Sequence, residues 1–223
     1  DFEGHLIANL DEQENTNFAV YAKGVERIDA DGKATTGERV KRNNYKLLPG
    51  HSYDKDPQVH VTMGSEDCYV RMFVTITHDT QWKTICDNHR DTDGNNLFGA
   101  DDMFTGLDLT HWTLHEIHKN EAANNTRTYE FWYYTMVTDV PENADKDLEP
   151  LFTGIKMPDE LTNEDLAMLT DNPETAAVDE GFKIYVVAQA IQEDGFADAA
   201  AAFAAAPKIT GTDLIPGVVT TTP

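Results

Sequence analysis

The stretch that decides the fold runs from Leu47 to His78 and reads LLPGHSYDKDPQVHVTMGSEDCYVRMFVTITH. After Pro57, Val59 and Val61 alternate with polar residues, which is the period-2 pattern of a strand with one buried face. From Cys68 to Ile76 every even position is apolar, which predicts a second, longer strand whose even positions face a core. A polar break at residues 64–67 separates the two strands.

Strand patterns recur on both sides of this stretch. Turn signals about every 8–12 residues favour an antiparallel β-sandwich, with helices only as short inserts. The further strands that we predict include Phe18–Ile28, Gln81–Cys86, Leu109–His118, Tyr129–Val137 and Phe182–Gln192. The predicted inserts are a short surface helix or loop within Leu161–Leu169 and an Ala-rich helix from Asp198 to Ala206, capped by Asp198.

The pattern predicts one domain with two attached segments. Residues 13–206 form the sandwich, residues 1–12 form an N-terminal strand segment, and residues 207–223 form an extended C-terminal tail. The N-terminal segment is apolar at alternating positions: Phe2, Leu6, Ala8 and Leu10. An apolar strand is an aggregation liability unless it pairs with a sheet edge, so we expect this segment to add to a sheet.

Charge excludes two classes of partner. The 223 residues carry a formal net charge of −23, which argues against binding to nucleic acid and against docking on an anionic membrane. No stretch approaches the ~20 apolar residues of a membrane-spanning helix, so we expect no membrane insertion. The sequence starts at Asp1 without a methionine, so we expect a processed protein from which a signal peptide has been removed.

The only two cysteines are Cys68 and Cys86. In an exported protein two cysteines are compatible with one disulfide, and the alternative is a pair of buried free thiols. The sequence leaves both interpretations open, because spacing along the chain does not show that the two residues approach each other.

Three histidines form the most tempting metal pattern: His111, His115 and His118. The spacing His-Glu-x-His is one residue short of the His-Glu-x-x-His motif of zinc proteases, which also requires a helix. On the predicted strand His111 and His115 would share one face and His118 would lie on the other. We therefore interpret them as solvent-facing strand histidines and predict no catalytic site, with the zinc triad as the alternative.

A calcium site is the other metal hypothesis. Asp91 and Asp93 precede Gly94, but an EF-hand aligned on this glycine fails at its first and twelfth positions. A turn is the favoured interpretation, and a looser oxygen site that uses Asp101 or Asp102 is the alternative. Serine and cysteine nucleophile signatures and nucleotide-binding glycine loops are absent from the sequence, so we predict that the protein is not an enzyme.

The order of several short motifs resembles the TasA/camelysin family of exported Gram-positive proteins. The resemblance rests on the Pro49-Gly50 turn, on Lys55-Asp56-Pro57, and on Tyr69-Val70-Arg71 after the loop at residues 65–67. It extends over about residues 4–203 through Trp132-Tyr133-Tyr134 and the pattern Ala188-x-Ala190-x-Gln192. The sequence departs from the family at Asn9-Leu10, where aromatic residues are usual.

The resemblance implies a jelly-roll-like sandwich that is exported through a SipW-type signal peptidase and assembles into biofilm-matrix or cell-surface fibres. In such fibres the N-terminal strand of one subunit fills a strand position in the next, so the resemblance gives the role of donor strand to Phe2, Leu6, Ala8 and Leu10. Pairing of this segment within its own subunit, or a donor in the tail Ile209–Val219, are the alternatives. A camelysin-like secreted metalloprotease and a monomeric surface adhesin remain the competing functions.

Overall fold

A computed structural model of the chain describes residues 8–13, 39–40, 45, 47–120, 125–170, 181–206 and 209. The strands within these ranges are β1 (Ala8–Gln13), β2 (Arg39–Val40), β3 (Ser52–Asp54), β4 (Gln58–Val61), β5 (Cys68–Thr77), β6 (Phe104–Thr105), β7 (Trp112–Asn120), β8 (Thr126–Tyr133), β9 (Lys146–Asp147), β10 (Gly154–Lys156) and β11 (Ile184–Gln192). The helices are α1 (Asp79–Asn88), α2 (Asn163–Met168) and α3 (Ala199–Ala205).

The described strands form three sheets. Their strand orders are β2-β1-β4-β9, β3-β10-β6 and β11-β5-β8-β7, and every pairing is antiparallel. The helices are short and connect or cover strands. The prediction of an all-β fold with antiparallel sheets and short helical inserts is therefore confirmed.

Strand β5 is the centre of the largest sheet, between β11 and β8. Its even residues are at most 1% exposed, as the alternation predicts: Cys68, Val70, Met72, Val74 and Ile76. The odd residues Arg71, Phe73 and Thr75 are buried as well. Helix α3 covers part of this second face, with the Phe203 ring 4.5 Å from the guanidinium carbon of Arg71. We name the face that carries Arg71 the outer face of the sheet.

One hydrophobic core joins the three sheets. It includes Tyr53 of β3, Val59 of β4, Met72 of β5, Phe131 of β8 and Ile155 of β10. Strand β11 confirms the prediction for Phe182–Gln192, and four alternate residues pack against this core: Ile184, Val186, Ala188 and Ala190. Each sheet has an apolar face to bury, and the three sheets bury these faces in one shared core.

The predicted strand Gln81–Cys86 is wrong, because this segment lies in helix α1. The buried residues Trp82, Ile85 and Cys86 are three and four positions apart, which places them on one face of a helix. In a strand, Trp82 and Ile85 would point to opposite faces. The ring of Trp82 packs edge-on against Phe182 at 5.6 Å between centroids.

Both predicted helical inserts are confirmed. Helix α2 begins with a capping box, in which Thr162 and Asp165 each accept a hydrogen bond from the backbone N–H of the other. Helix α3 begins at the predicted cap: the carboxylate of Asp198 accepts a hydrogen bond of 2.8 Å from the backbone N–H of Ala201.

Some predicted elements fall outside the residues that the structure describes. These are Phe2 and Leu6 of the N-terminal segment, the strand Phe18–Ile28, and the C-terminal tail apart from residue 209. Within the described ranges, no helix is both long enough and apolar enough to span a membrane.

Candidate functional site

Strand β1 occupies a strand position beside β4 of its own chain. The antiparallel register pairs Ala8 with Val61, Asn9 with His60, Leu10 with Val59 and Asp11 with Gln58. Strand β2 pairs with β1 only at Glu12 and Gln13. Among the described strands, none pairs with residues 8–11 on the side away from β4. Within a single chain, β4 is thus the strand that pairs with this segment. Donation of the segment to another subunit stays a prediction.

Strand β4 is anchored in the core on one face. Val59 and Val61 are fully buried. His60 lies on the opposite face, and its Nδ1 is 2.7 Å from the carboxylate of Asp147 in β9. The strand that pairs with β1 is therefore also held in place by core packing and by β9.

A buried ion pair lies at the centre of the outer face of the large sheet. Arg71 Nη1 donates to Glu130 Oε1 at 2.9 Å, and both side chains are at most 10% exposed. The two side chains have further partners: Arg71 Nε donates to Gln189 Oε1 at 2.8 Å, and Trp132 Nε1 donates to Glu130 Oε1 at 2.6 Å. The Arg71 guanidinium also packs against the ring of Phe203.

The hydrogen bonds around Glu130 outweigh its burial. Burial alone would raise the pKa of the Glu130 carboxyl. Hydrogen bonds from Trp132 and His118, together with the charge and hydrogen bond of Arg71, lower this pKa below its ordinary value. Glu130 is therefore a carboxylate at neutral pH, despite its burial.

A β-bulge decides where the histidines of β7 point. The pairing of β7 with β8 shifts register between Leu114 and Glu116, so His115 is the extra residue. The ring of His115 stacks on Trp132 at 3.8 Å between centroids, and His118 Nε2 lies 3.0 Å from Glu130 Oε2. His115 and His118 therefore share the outer face, and the prediction that they lie on opposite faces is wrong.

His111 lies apart from the other two histidines. It precedes β7, and its Nδ1 is 2.6 Å from the carboxylate of Asp108. Its ring also stacks on Tyr133 at 6.5 Å between centroids. The structure therefore does not bring His111, His115 and His118 together as a zinc triad.

We expect the pKa of His111 to fall toward its ordinary value of 6.5 in an Asp108→Asn variant, because the hydrogen bond to Asp108 is the largest of the effects that raise it. The pair stabilises the fold at pH values below the unfolded pKa of histidine, and this stabilisation is lost as the pH rises through the higher pKa of folded His111. An NMR titration of the imidazole signals measures the pKa. An unchanged pKa in Asp108→Asn would contradict the assignment, and His115 in the same spectra is the internal control.

The loop around Asp91 is a turn, as the favoured interpretation expects. Its carboxylate accepts hydrogen bonds from the backbone N–H groups of Asp93 and Asn95, at 2.9 and 2.8 Å. Gly94 has the positive φ that such a turn requires. The carboxylate of Asp102 accepts instead from the backbone N–H of Gly99. These carboxylates hold local turns, and neither Asp91 nor Asp93 belongs to a three-residue metal cluster within the described residues.

Cys68 and Cys86 are free and buried, so the disulfide that we left open is not formed. The nine steps of β5 from Cys68 to Thr77 span about 30 Å, whereas the segment back to Cys86 covers at most about 18 Å. The two Cα atoms are therefore more than about 7 Å apart, beyond the reach of a disulfide. Burial raises the pKa of the Cys68 thiol to about 11 and also raises that of Cys86.

One cluster was not predicted from the sequence. Within the described residues, a single group of three potential metal ligands converges: Glu116, His118 and Glu130, with one ligand atom from each within 4.8 Å of the others. Of these, His118 was considered as a ligand, but its partners on β7 and β8 were not. No matching family model, curated protein or solved structure was found for this chain. The resemblance to the TasA/camelysin family accordingly stays a prediction.

Proposed function

We propose that the protein is a structural subunit of an extracellular or cell-surface fibre of the biofilm-matrix type, and that its own chain is its main partner. In this proposal β1 leaves its position on β4 and fills the same position on β4 of the next subunit. The pairing of Ala8–Asp11 with β4 is the observation that carries the proposal. A jelly-roll-like sandwich is the proposed arrangement of the three antiparallel sheets around their shared core.

The geometry of β1 favours exchange between subunits. The strand is short, and β4 is the one described strand that pairs with residues 8–11, although β1 also lies close to β11. An exchanged β1 repeats the same backbone hydrogen bonds in the neighbouring subunit, so few contacts are lost in the final state. Each subunit then gives one strand and receives one, which makes the contact heterologous and lets it propagate as a filament.

In this proposal the protein assembles with copies of itself and does not catalyse a reaction. The high negative charge keeps separate subunits soluble through mutual repulsion, and strand insertion supplies the directional contact. Export, removal of a signal peptide and contact with other matrix components belong to the same proposal.

A disulfide between directly paired positions of β1 and β4 tests it. In the double variant Asn9→Cys/His60→Cys, the two Cα atoms are cross-strand partners and lie at a separation that suits a disulfide. We expect oxidation before assembly to lock β1 on its own β4 and to give monomers only. We expect oxidation after assembly to give a ladder of covalent oligomers on non-reducing gels.

Negative-stain microscopy of the reduced variant and of the wild type provides the reference, and both should form filaments. The single variants Asn9→Cys and His60→Cys are the matched controls, since neither forms the intended disulfide. Filaments without a covalent ladder would move the donor role away from β1. Monomers from the reduced protein at high concentration would overturn the fibre proposal and favour a monomeric surface protein.

A further inference from the structure

We propose that Glu116, His118 and Glu130 form a binding site for one divalent transition-metal ion, with Zn²⁺ as the best match. The site lies on the outer face of the large sheet, where the edge strand β7 meets β8. This inference does not depend on the fibre proposal, because it uses neither β1 nor β4.

The distances between ligand atoms fit a first coordination sphere. His118 Nε2 lies 3.0 Å from Glu130 Oε2 and 3.7 Å from Glu116 Oε2. Zinc binds nitrogen and carboxylate oxygen at about 2.0–2.1 Å in tetrahedral geometry, which places neighbouring ligand atoms about 3.3 Å apart. The two observed distances lie on either side of this value, so one ion can reach all three atoms after small side-chain movements.

The β-bulge at His115 creates the cluster. Without the register shift after Leu114, Glu116 would lie opposite Tyr129 on the core face, two positions before His118. With the shift, Glu116 is the direct cross-strand partner of Glu130. Bulges often re-aim side chains at functional sites, and this one moves two of the three ligands to the face of the third.

The pairing of Glu116 with Glu130 points to a cation. Like charges directly opposite each other destabilise an antiparallel pair of strands. Arg71 binds Oε1 of Glu130, whereas Oε2 faces His118 on the side toward Glu116. A divalent ion between the two carboxylates would replace their repulsion by attraction.

Neighbouring residues orient one ligand of the site, and solvent reaches the other two. Arg71 and Trp132 hold one oxygen of Glu130 in place, which orients the other oxygen toward the cluster. The side chains of His118 and Glu116 are 42% and 59% exposed, so an ion can enter from solvent. Three protein ligands leave a fourth position for water or another ligand.

The ligand atoms of the cluster, one imidazole nitrogen and two carboxylate oxygens, favour some metal ions over others. Ca²⁺ requires six to eight oxygen ligands, and three residues with one imidazole among them do not supply these. Imidazole suits Zn²⁺ and its neighbours in the transition series, and the affinity of such sites for Zn²⁺ exceeds that for Mn²⁺. We therefore expect affinity to decrease in the order Zn²⁺, Mn²⁺, Ca²⁺.

Isothermal titration calorimetry of the metal-free full chain with Zn²⁺ tests the site, at about 0.15 M salt and with excess Mg²⁺ to occupy the acidic surface. We expect one Zn²⁺ per chain. His118→Gln and Glu116→Gln should each weaken binding by about tenfold or more. Both residues are exposed, so these variants should fold, and circular dichroism checks that they do.

Two control variants separate this site from general attraction to an acidic surface. His111→Gln removes a histidine that lies beside Asp108 and Glu149 but outside the cluster, and Glu66→Gln removes an exposed carboxylate elsewhere. Both should bind Zn²⁺ like the wild type. Wild-type affinity for Zn²⁺ in His118→Gln would overturn the proposal. A loss of affinity in His111→Gln as large as that in His118→Gln would overturn it as well. NMR gives a second readout, because Zn²⁺ should shift the imidazole signals of His118 and not those of His111.

Discussion

Replacing Arg71 by methionine is expected to lower the free energy of unfolding by about 3–5 kcal/mol, because it leaves the buried Glu130 carboxylate without its arginine partner. Methionine keeps an unbranched apolar side chain at this position, so the loss comes mainly from the guanidinium, which contacts both the Glu130 carboxylate and the Phe203 ring. For a chain of this length the change corresponds to a melting temperature lower by about 6–20 °C. Chemical denaturation in the presence of a chelator measures the effect apart from metal binding.

Adding Glu130→Gln to Arg71→Met should recover at least half of this loss. The double variant carries no uncompensated charge, and glutamine keeps an oxygen that can accept the hydrogen bond from Trp132 Nε1. With the single variant Glu130→Gln completing the double-mutant cycle, we expect a coupling energy of at least about 1.5 kcal/mol. Lys83→Met is the matched control, because the pair of Lys83 with Asp87 is exposed on α1 and should contribute less than about 1 kcal/mol. Additive losses in the cycle would contradict the interpretation of Arg71 and Glu130 as a coupled pair.

The sequence was sufficient for the strands that carry the core. In β5 and β11 the alternation of apolar and other residues follows the pleat of a strand; the structure buries the predicted positions of β5 and packs those of β11, partly buried, against the core. The burial of Arg71 and Phe73 was not predicted. It depends in part on α3, which returns to the sheet from more than 120 residues further along the chain. Local periodicity does not contain such a contact.

The cluster of Glu116, His118 and Glu130 was not predicted for a related reason. Its residues come from two strands, and their common face depends on a single extra residue at His115. A one-residue shift changes the face of every side chain that follows it, so a strand with regular alternation predicts the wrong face for His118. Neither glycine nor proline marks the bulge in the sequence Leu114-His115-Glu116.

The segment that forms helix α1 was predicted as a strand for a different reason. A short run with few apolar residues fits both a strand and a helix, and length and spacing have to decide between them. The spacing of Trp82, Ile85 and Cys86 in fact matches the period of a helix, and this spacing leads to a test with a large effect.

Ile85→Ala and Trp82→Ala are expected to destabilise the protein by about 2–5 and 3–5 kcal/mol, because both side chains are fully buried on one face of α1. Lys83→Ala is the control within the same segment, since its side chain is 67% exposed, and it should change stability by less than about 0.5 kcal/mol. Denaturant titration measures all three. In a strand, Ile85 would share a face with Lys83 and not with Trp82, so large losses at positions 82 and 85 with none at 83 require a helix. A loss of stability in Trp82→Ala alone would favour a strand over residues 81–86 and would contradict helix α1.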